Sequence, residues 1–491
     1  MGQISGRYHF GVLTDDLAPV HSSAGLVSPF SEFDTVEGCG AALAAGRVTV
    51  VDLVKRGLER IERLDSGPGG LNAVITVSDE ALAQARQSDQ RRVRGVVLSP
   101  LDGIPFTVKD NIETVGLRTT HGSALFEQWI PESDAPVVQR LKAAGMVLLA
   151  KVSLDDFAGA STGESSLTGP MLNPHDRTRM VGGSSGGTAV SVAAGYAPLS
   201  LGTDTGGSLR IPAALCGVCT FRSTNGLVPD DGVFPRSPSQ DVIGPMALTV
   251  AGLELSYAAL VGADIPNTLP TPPAVAGLRL GVVETGLAVG GDDPYGPVLR
   301  RFREVMSGLS TAGVGIVPLA ALEPELLGAS IIAAEARKAI TAYLSRPGMP
   351  VSSFEELLAT SHVDGKSIMT AAVRRGLEWE RVPALSADEL TDLLRRRGAL
   401  RDHTHRLMDT HQLDAIVFPT VQQVAAPLGQ EQPGAHTRWS EHTGNPSVTI
   451  PMGLVDAGGA VPLPCALDLL GRHGQDARLL AVARTLELHV R

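Results

Sequence analysis

Apolar positions along this chain switch between helical and strand spacing, and the switching predicts the elements. Thr49-Val50-Val51-Asp52 has the form of a capping box, and Val54, Leu58 and Ile61 behind it share one helical face. Residues 101–112 (LDGIPFTVKDNI) read as a short strand entered through Gly103 and Pro105. Asp134 is placed to cap a helix carrying Val137, Val138, Leu141 and Ala144, which Gly145 stops. Residues 146–150 are continuously apolar, as a strand covered on both faces would be. The helix-then-strand pattern returns at 186–195 and 197–202, and a strand, a helix and a strand follow at 278–283, 297–309 and 315–319. This is the grammar of an α/β layered domain. Residues 321–412 look helical and heavily charged, an inserted cap rather than sheet, with Arg395-Arg396-Arg397 as a solvated helix face. Strand-like runs resume at 414–419, 447–451 and 463–470 before a final amphipathic helix. Residues 266–273 are the best linker, residues 1–33 read as an irregular extension, and no 20–50-residue period suggests repeats.

Composition narrows the class. With 491 residues, 43% of them hydrophobic, the chain can bury a large core as one α/β domain or two to three smaller ones. A formal net charge of −11 without a long basic run argues against nucleic acid as the main partner. Cys39, Cys216, Cys219 and Cys465 are too scattered for a disulfide framework, which fits a reducing, cytoplasmic location. Asp15 and Asp16 break the only apolar patch near the start, so no signal-peptide layout is read. Residues 180–203 carry no charge over a membrane-spanning length, but their Gly, Ser and Thr content fits a buried helix and strand better.

Candidate chemistry concentrates in GGSSGG…GTDTGGSLR, residues 182–210, where glycines flank Ser184 and Ser208. Glycine beside serine lets backbone N–H groups converge on a substrate oxygen without a Cβ in the way. Lys109, behind the apolar Pro105-Phe106-Thr107-Val108, has the setting in which desolvation makes a lysine a usable base. Its plainer reading is an ion pair with Asp110. Ser185 satisfies G-x-S-x-G, but a polar turn precedes it where a nucleophile elbow needs an apolar strand. Thr188 follows its glycine without the lysine of a phosphate loop, leaving a tight turn before a helix. Cys216 and Cys219 have redox spacing without a helix opening after them, and His403, His405, His411, His436 and His442 read as surface histidines. No metal is expected.

Together these segments resemble the amidase signature family. The stretch 182–217, GGSSGGTAVSVAAGYAPLSLGTDTGGSLRIPAALCG, matches its characteristic motif almost throughout. GIPFTVKDNI resembles its lysine segment, and GNPSVTIPMG at 444–453 its late segment. The resemblance covers roughly residues 35–490. It implies an α/β amidase-signature fold, a large twisted mixed sheet covered on both faces by helices, with residues 34–491 as one amidase domain. It implies a serine–cis-serine–lysine triad: Ser208 as nucleophile, Ser184 as the bridging serine after a cis peptide, Lys109 as base. The amides of Thr205, Gly206, Gly207 and Ser208 would form the oxyanion hole, braced by Asp204 and Arg210, with no cofactor. Phe221-Arg222-Ser223-Thr224 replaces the family's L-K-P-T, and Ala150-Lys151-Val152-Ser153 its G-K-T-N/S, which bears on substrate preference.

The leading expectation is a stand-alone amidase that hydrolyses a small carboxamide through an acyl-enzyme on Ser208. Residues 342–367 resemble the subgroup acting on arylacetamides, so an aryl or arylacetic amide is one option. Expected partners are that small amide alone, with no nucleic acid or membrane and a homodimer left open. The alternative is the glutaminase component of a tRNA-dependent amidotransferase, against which residues 429–443 lack the expected surroundings of an α-amino-acid-binding carboxylate. A third option, a biosynthetic protein that transfers the acyl group, is not separable by residues. One that has lost its chemistry is disfavoured by retention of Lys109, Ser184 and Ser208.

Overall fold

Pleated-sheet pairing gathers the apolar runs into one eleven-stranded sheet in the computed structural model, which describes residues 31–67, 69–284, 296–320, 322, 327–381 and 385–491. Most of the expected extension, residues 1–30, lies outside them. The strands are β1 (Val74–Val77), β2 (Pro105–Lys109), β3 (Val147–Val152), β4 (Leu199–Asp204), β5 (Cys219–Arg222) and β6 (Val242–Ala247). After them come β7 (Arg279–Val282), β8 (Gly315–Pro318), β9 (Ala415–Pro419), β10 (Ser447–Val455) and β11 (Leu463–Leu470). Their order across the sheet is β1-β3-β2-β4-β6-β5-β10-β11-β9-β7-β8. The β2/β3, β2/β4, β7/β8 and β7/β9 pairs are parallel and the rest antiparallel. Every residue of β2, β3, β4, β9 and β11 is buried, so both faces are covered, as their largely apolar sequences favour.

Helices fill those faces. They run α1 (Val36–Ala44), α2 (Val50–Leu64), α3 (Ala81–Val93), α4 (Pro136–Ala143), α5 (Gly186–Ala193), α6 (Arg210–Cys216), α7 (Val250–Val261) and α8 (Pro297–Thr311). Next are α9 (Ile332–Leu344), α10 (Phe354–Ala359), α11 (Ala371–Trp379), α12 (Ala387–Thr410), α13 (Arg438–Thr443) and α14 (Asp476–Val490). Thr49 and Asp52 close the capping box on α2, which buries Val50, Leu53, Val54, Gly57, Ile61 and Leu64. Small residues let α5 bury all eight of its positions against β2 and β4. The uncharged 180–203 stretch is therefore a turn, α5 and β4, and no described helix is long and apolar enough to cross a membrane.

Helix α4 departs from expectation. Ala135 is its N-cap and Pro136 opens it, while the Asp134 carboxylate accepts from Val115 N–H at 2.9 Å and from Lys142 Nζ at 2.8 Å. A cation in the last turn of the same helix and an amide from an earlier loop outcompete the local cap. Helices α9, α10 and α11 build their own apolar cluster with Phe126, Phe157 and Phe234, beside the carboxyl ends of β2 and β4. The arginine run divides. Arg395 and Arg396 pair with Asp392 at the surface, whereas Arg397 is buried and donates to Gln240 Oε1 at 2.8 Å and Glu441 O at 3.0 Å. His436 and His442 are also buried, not at the surface as expected, because β9 and α13 fold the late loop inward.

Candidate active site

Parallel strands β2 and β4 end side by side, with Val108 in register with Leu201, and the candidate groups gather past those ends. Lys109 is the last residue of β2 and is completely buried. Its Nζ donates to Thr203 Oγ1 at 2.7 Å, near the end of β4, and to Ser184 Oγ at 2.8 Å. Desolvation pulls its pKa down to about 7, against the attraction of Asp155, Asp204 and Asp241. The plainer reading fails, since Asp110 pairs instead with Lys151 Nζ at 3.0 Å.

Ser184 enters α5 through a cis Gly183–Ser184 peptide. A Cβ on Gly183 would stand 2.1 Å from Asp155 Oδ1, so only glycine lets the turn lie against that buried carboxylate. Asp155 N–H donates to Ser184 O at 3.3 Å, and its side chain accepts from Thr162 N–H at 2.7 Å and Gly163 N–H at 3.0 Å. Ser185, which matched G-x-S-x-G, is structural: its Oγ donates to Thr203 O at 2.9 Å and its N–H donates to Ser208 O at 3.2 Å. Two loops distant in sequence are thereby fixed to each other.

Ser208 sits at 7% exposure on the glycine turn between β4 and α6. Its Oγ hydrogen-bonds to none of the described residues, so the expected Ser208–Ser184 link is not made, while the Ser184–Lys109 link is. Nucleophile contacts commonly tighten only around substrate. The expected oxyanion hole needs one correction. The Gly207 N–H donates to Asp204 Oδ1 at 2.9 Å and is not available to a substrate. Gly206 and Ser208 amides have no acceptor among the described residues. Gly207 itself lies at φ +96°, where a Cβ would also meet Thr437 at 2.7 Å.

Asp204 and Arg210 do pair, Nε to Oδ2 at 3.0 Å, and both are fully buried. Sequence reasoning missed Arg222, which donates to Asp204 Oδ1 at 3.0 Å and Gln240 O at 2.6 Å. Burial alone would raise the Asp204 carboxyl, but Arg210 and Arg222 hold it well below the usual carboxylate range. Arg222 stands where L-K-P-T has its lysine, so this segment, expected to touch substrate preference, keeps a cation there and places it on the loop brace. Thr203, Asn111, Asp155, Thr437 and Gln240 were also missed. Thr203, Asp204 and Gly207 lie within one motif, and that adjacency was the available signal. Cys216 and Cys219 are buried free thiols that burial pushes upward, and no described cluster of His, Cys, Asp or Glu could hold a metal ion.

This arrangement can deprotonate a serine without histidine and meet an oxyanion with main-chain N–H groups. Comparison with known proteins gives the family and the fold. The Amidase family model matches residues 52–480. The A-type subunit of glutamyl-tRNA(Gln) amidotransferase from Chloroflexus aggregans is 34% identical over 93% of this chain and 97% of its own length. Its counterpart from an Anaeromyxobacter species is 36% identical over 91% and 94%. The peptide amidase of Stenotrophomonas maltophilia superposes with a TM-score of 0.80 at 29% identity, over 93% of this chain and 97% of that one.

Proposed function

The chain belongs to the amidase family, and from that membership we propose that it hydrolyses a carboxamide through an acyl-enzyme on Ser208. The observation that carries this is the buried Lys109 amine, 2.8 Å from Ser184 Oγ, in a loop tied to the Ser208 turn by Ser185. Neutral Lys109 takes the Ser184 proton as Ser184 takes that of Ser208, and Ser208 Oγ bonds to the amide carbon. The carbonyl electrons move to an oxyanion facing the amides of Gly206 and Ser208, with Thr205 beside them. Such a donor is worth about 2.7–4 kcal/mol. Ser184 returns a proton to the leaving nitrogen, the C–N bond breaks, and water repeats the cycle to free the acid.

Two amide donors follow from different observations. The curated relatives favour the amidotransferase component, the alternative in the sequence reading, with glutamine as the ammonia donor for a partner protein. The solved peptide amidase supports a free-standing enzyme that cleaves a peptide-type carboxamide, and the aryl option rests on residues 342–367 alone. Around the turn Arg210 and Arg222 pair with Asp204, and Arg236 with Glu380, so on the first reading the carboxylate of glutamine needs another partner. Ammonia release from glutamine, peptide amides and arylacetamides, each with and without the other tRNA-amidotransferase components, separates the two. Ser208→Ala is expected to abolish turnover on whichever donor is active, and undiminished turnover would overturn the assignment.

A further inference from the structure

We propose that Thr203 and Asn111 are positioning residues that turn the lone pair of the Lys109 amine onto Ser184, with Asn111 presenting its carbonyl oxygen to the Thr203 hydroxyl. The inference rests on Lys109 acting as base. A neutral amine has two N–H donors and one lone pair, and Lys109 has two hydroxyls within reach: Thr203 Oγ1 at 2.7 Å and Ser184 Oγ at 2.8 Å. Only one of them can donate to the lone pair. If Thr203 does, Ser184 keeps its proton and the relay stops.

What decides is where the Thr203 hydrogen goes. Asn111 is buried at 1% exposure beside it, Nδ2 at 3.2 Å from Thr203 Oγ1, while Asn111 Oδ1 is buried without a partner. With Nδ2 facing Thr203, both neighbours donate to that oxygen. The hydroxyl hydrogen then has no acceptor among the described residues except the lone pair of Lys109. Turning the amide about its last bond exchanges two groups of nearly the same shape and puts Oδ1 there instead. Thr203 then donates to Asn111, accepts from Lys109, and leaves the lone pair to Ser184. One amide atom stays unpaired in either orientation, and the turned one is chosen because it alone keeps the Lys109 lone pair free for Ser184.

The one-way chain is Ser184 O–H to Lys109 Nζ, Lys109 N–H to Thr203 Oγ1, Thr203 O–H to Asn111 Oδ1. After transfer Lys109 is an ammonium that keeps its N–H to Thr203 and holds the transferred proton on Ser184 Oγ, ready for return. The other charges acting on Lys109 are Asp155 from the turn after β3, Asp204 ending β4, and Asp241 with Arg236 from the segment before β6.

The test is a pH–rate profile of four variants on an amide that the parent enzyme turns over, with thermal midpoints reporting the folded fraction. Thr203→Val should lower kcat about tenfold, the size of one hydrogen bond to a charged group, with KM little changed. Thr203→Ser should restore it. Asn111→Leu should fall similarly at every pH. Asn111→Asp can only accept, so it should reach an alkaline plateau within about threefold of the parent. Its added negative charge should move the acid limb to higher pH by about one unit. Equal impairment in Thr203→Val and Thr203→Ser, or an Asn111→Asp plateau as low as that of Asn111→Leu, would overturn the proposal while leaving Lys109 as base. Should Asn111→Asp not fold, the threonine pair decides. Retained activity in Ser208→Ala would overturn the reading of the site and this inference with it.

Discussion

In the proposed mechanism the charge state of Lys109 sets the chemistry, and burial sets that charge state. Its pKa is lowered to about 7 by desolvation. The competent base is therefore the form above that value, and protonation removes it as pH falls. The rate kcat/KM is expected to rise about tenfold per unit below pH 7 and to level off above about pH 8. A profile flat down to pH 5 would refute Lys109 as base. Lys109→Ala should lose about a hundredfold or more in kcat, the usual worth of a positioned base. At this scale the sequence was most informative for residues whose chemistry is local: Ser184, Ser208 and Lys109 lie in motifs that hold their own glycines and apolar strands. It was least informative for partners that meet only across the sheet. Arg222 joins Asp204 from a neighbouring strand pair, and Gly207 spends its amide on a carboxylate three residues back. Residue type and spacing do not say which of several nearby donors a buried Asp will take.

Elements carry these side chains, and two glycines show how differently a tight approach can matter. In α2, a Cβ on Gly57 would stand 2.5 Å from Tyr196 O and 2.7 Å from Leu149 Cδ2, so the helix packs there only because the side chain is missing. In the turn before α5, a Cβ on Gly183 would stand 2.1 Å from Asp155 Oδ1. Both alanine substitutions should lower the thermal midpoint through overpacking of about 1–3 kcal/mol. Only Gly183→Ala should also lower kcat per folded molecule, since it displaces the turn that holds Ser184. Gly57→Ala acts at the far end of α5 and should stay within about twofold of the parent. Equal losses in kcat would show that α5 moves as a rigid rod and that the turn has no separate role. Elements of this kind were legible where the apolar period was long and the cap local, as in α2. They were misread where a cation farther along the same helix claimed the capping residue, as Lys142 claims Asp134.

For the molecule as a whole, the question is how the helical segment after β8 is coupled to the nucleophile turn, and we propose that it is the expected cap. Arg397 of α12 donates to Gln240 Oε1 at 2.8 Å, Ala329 O at 3.0 Å and Glu441 O at 3.0 Å, and Gln240 Nε2 donates to Thr205 O at 2.8 Å. Two side chains thus span the distance from a cap helix to the turn bearing Ser208. The sequence showed three consecutive arginines, but successive residues on a helix point about 100° apart, so one face cannot hold all three. Arg395 and Arg396 share Asp392 in solvent, and Arg397 turns inward. Arg397→Leu would strand several buried acceptors, each costing about 1–3 kcal/mol, and should lower the thermal midpoint by several degrees. It should also reduce kcat, because Gln240 is released from Thr205. Arg395→Leu removes only an exposed pair and should shift stability by less than about 0.5 kcal/mol with kcat unchanged. If Arg397→Leu destabilises the chain yet leaves kcat at the parent value, the cap is attached to the sheet but not coupled to the turn, and the Arg397–Gln240–Thr205 path has no part in holding Ser208.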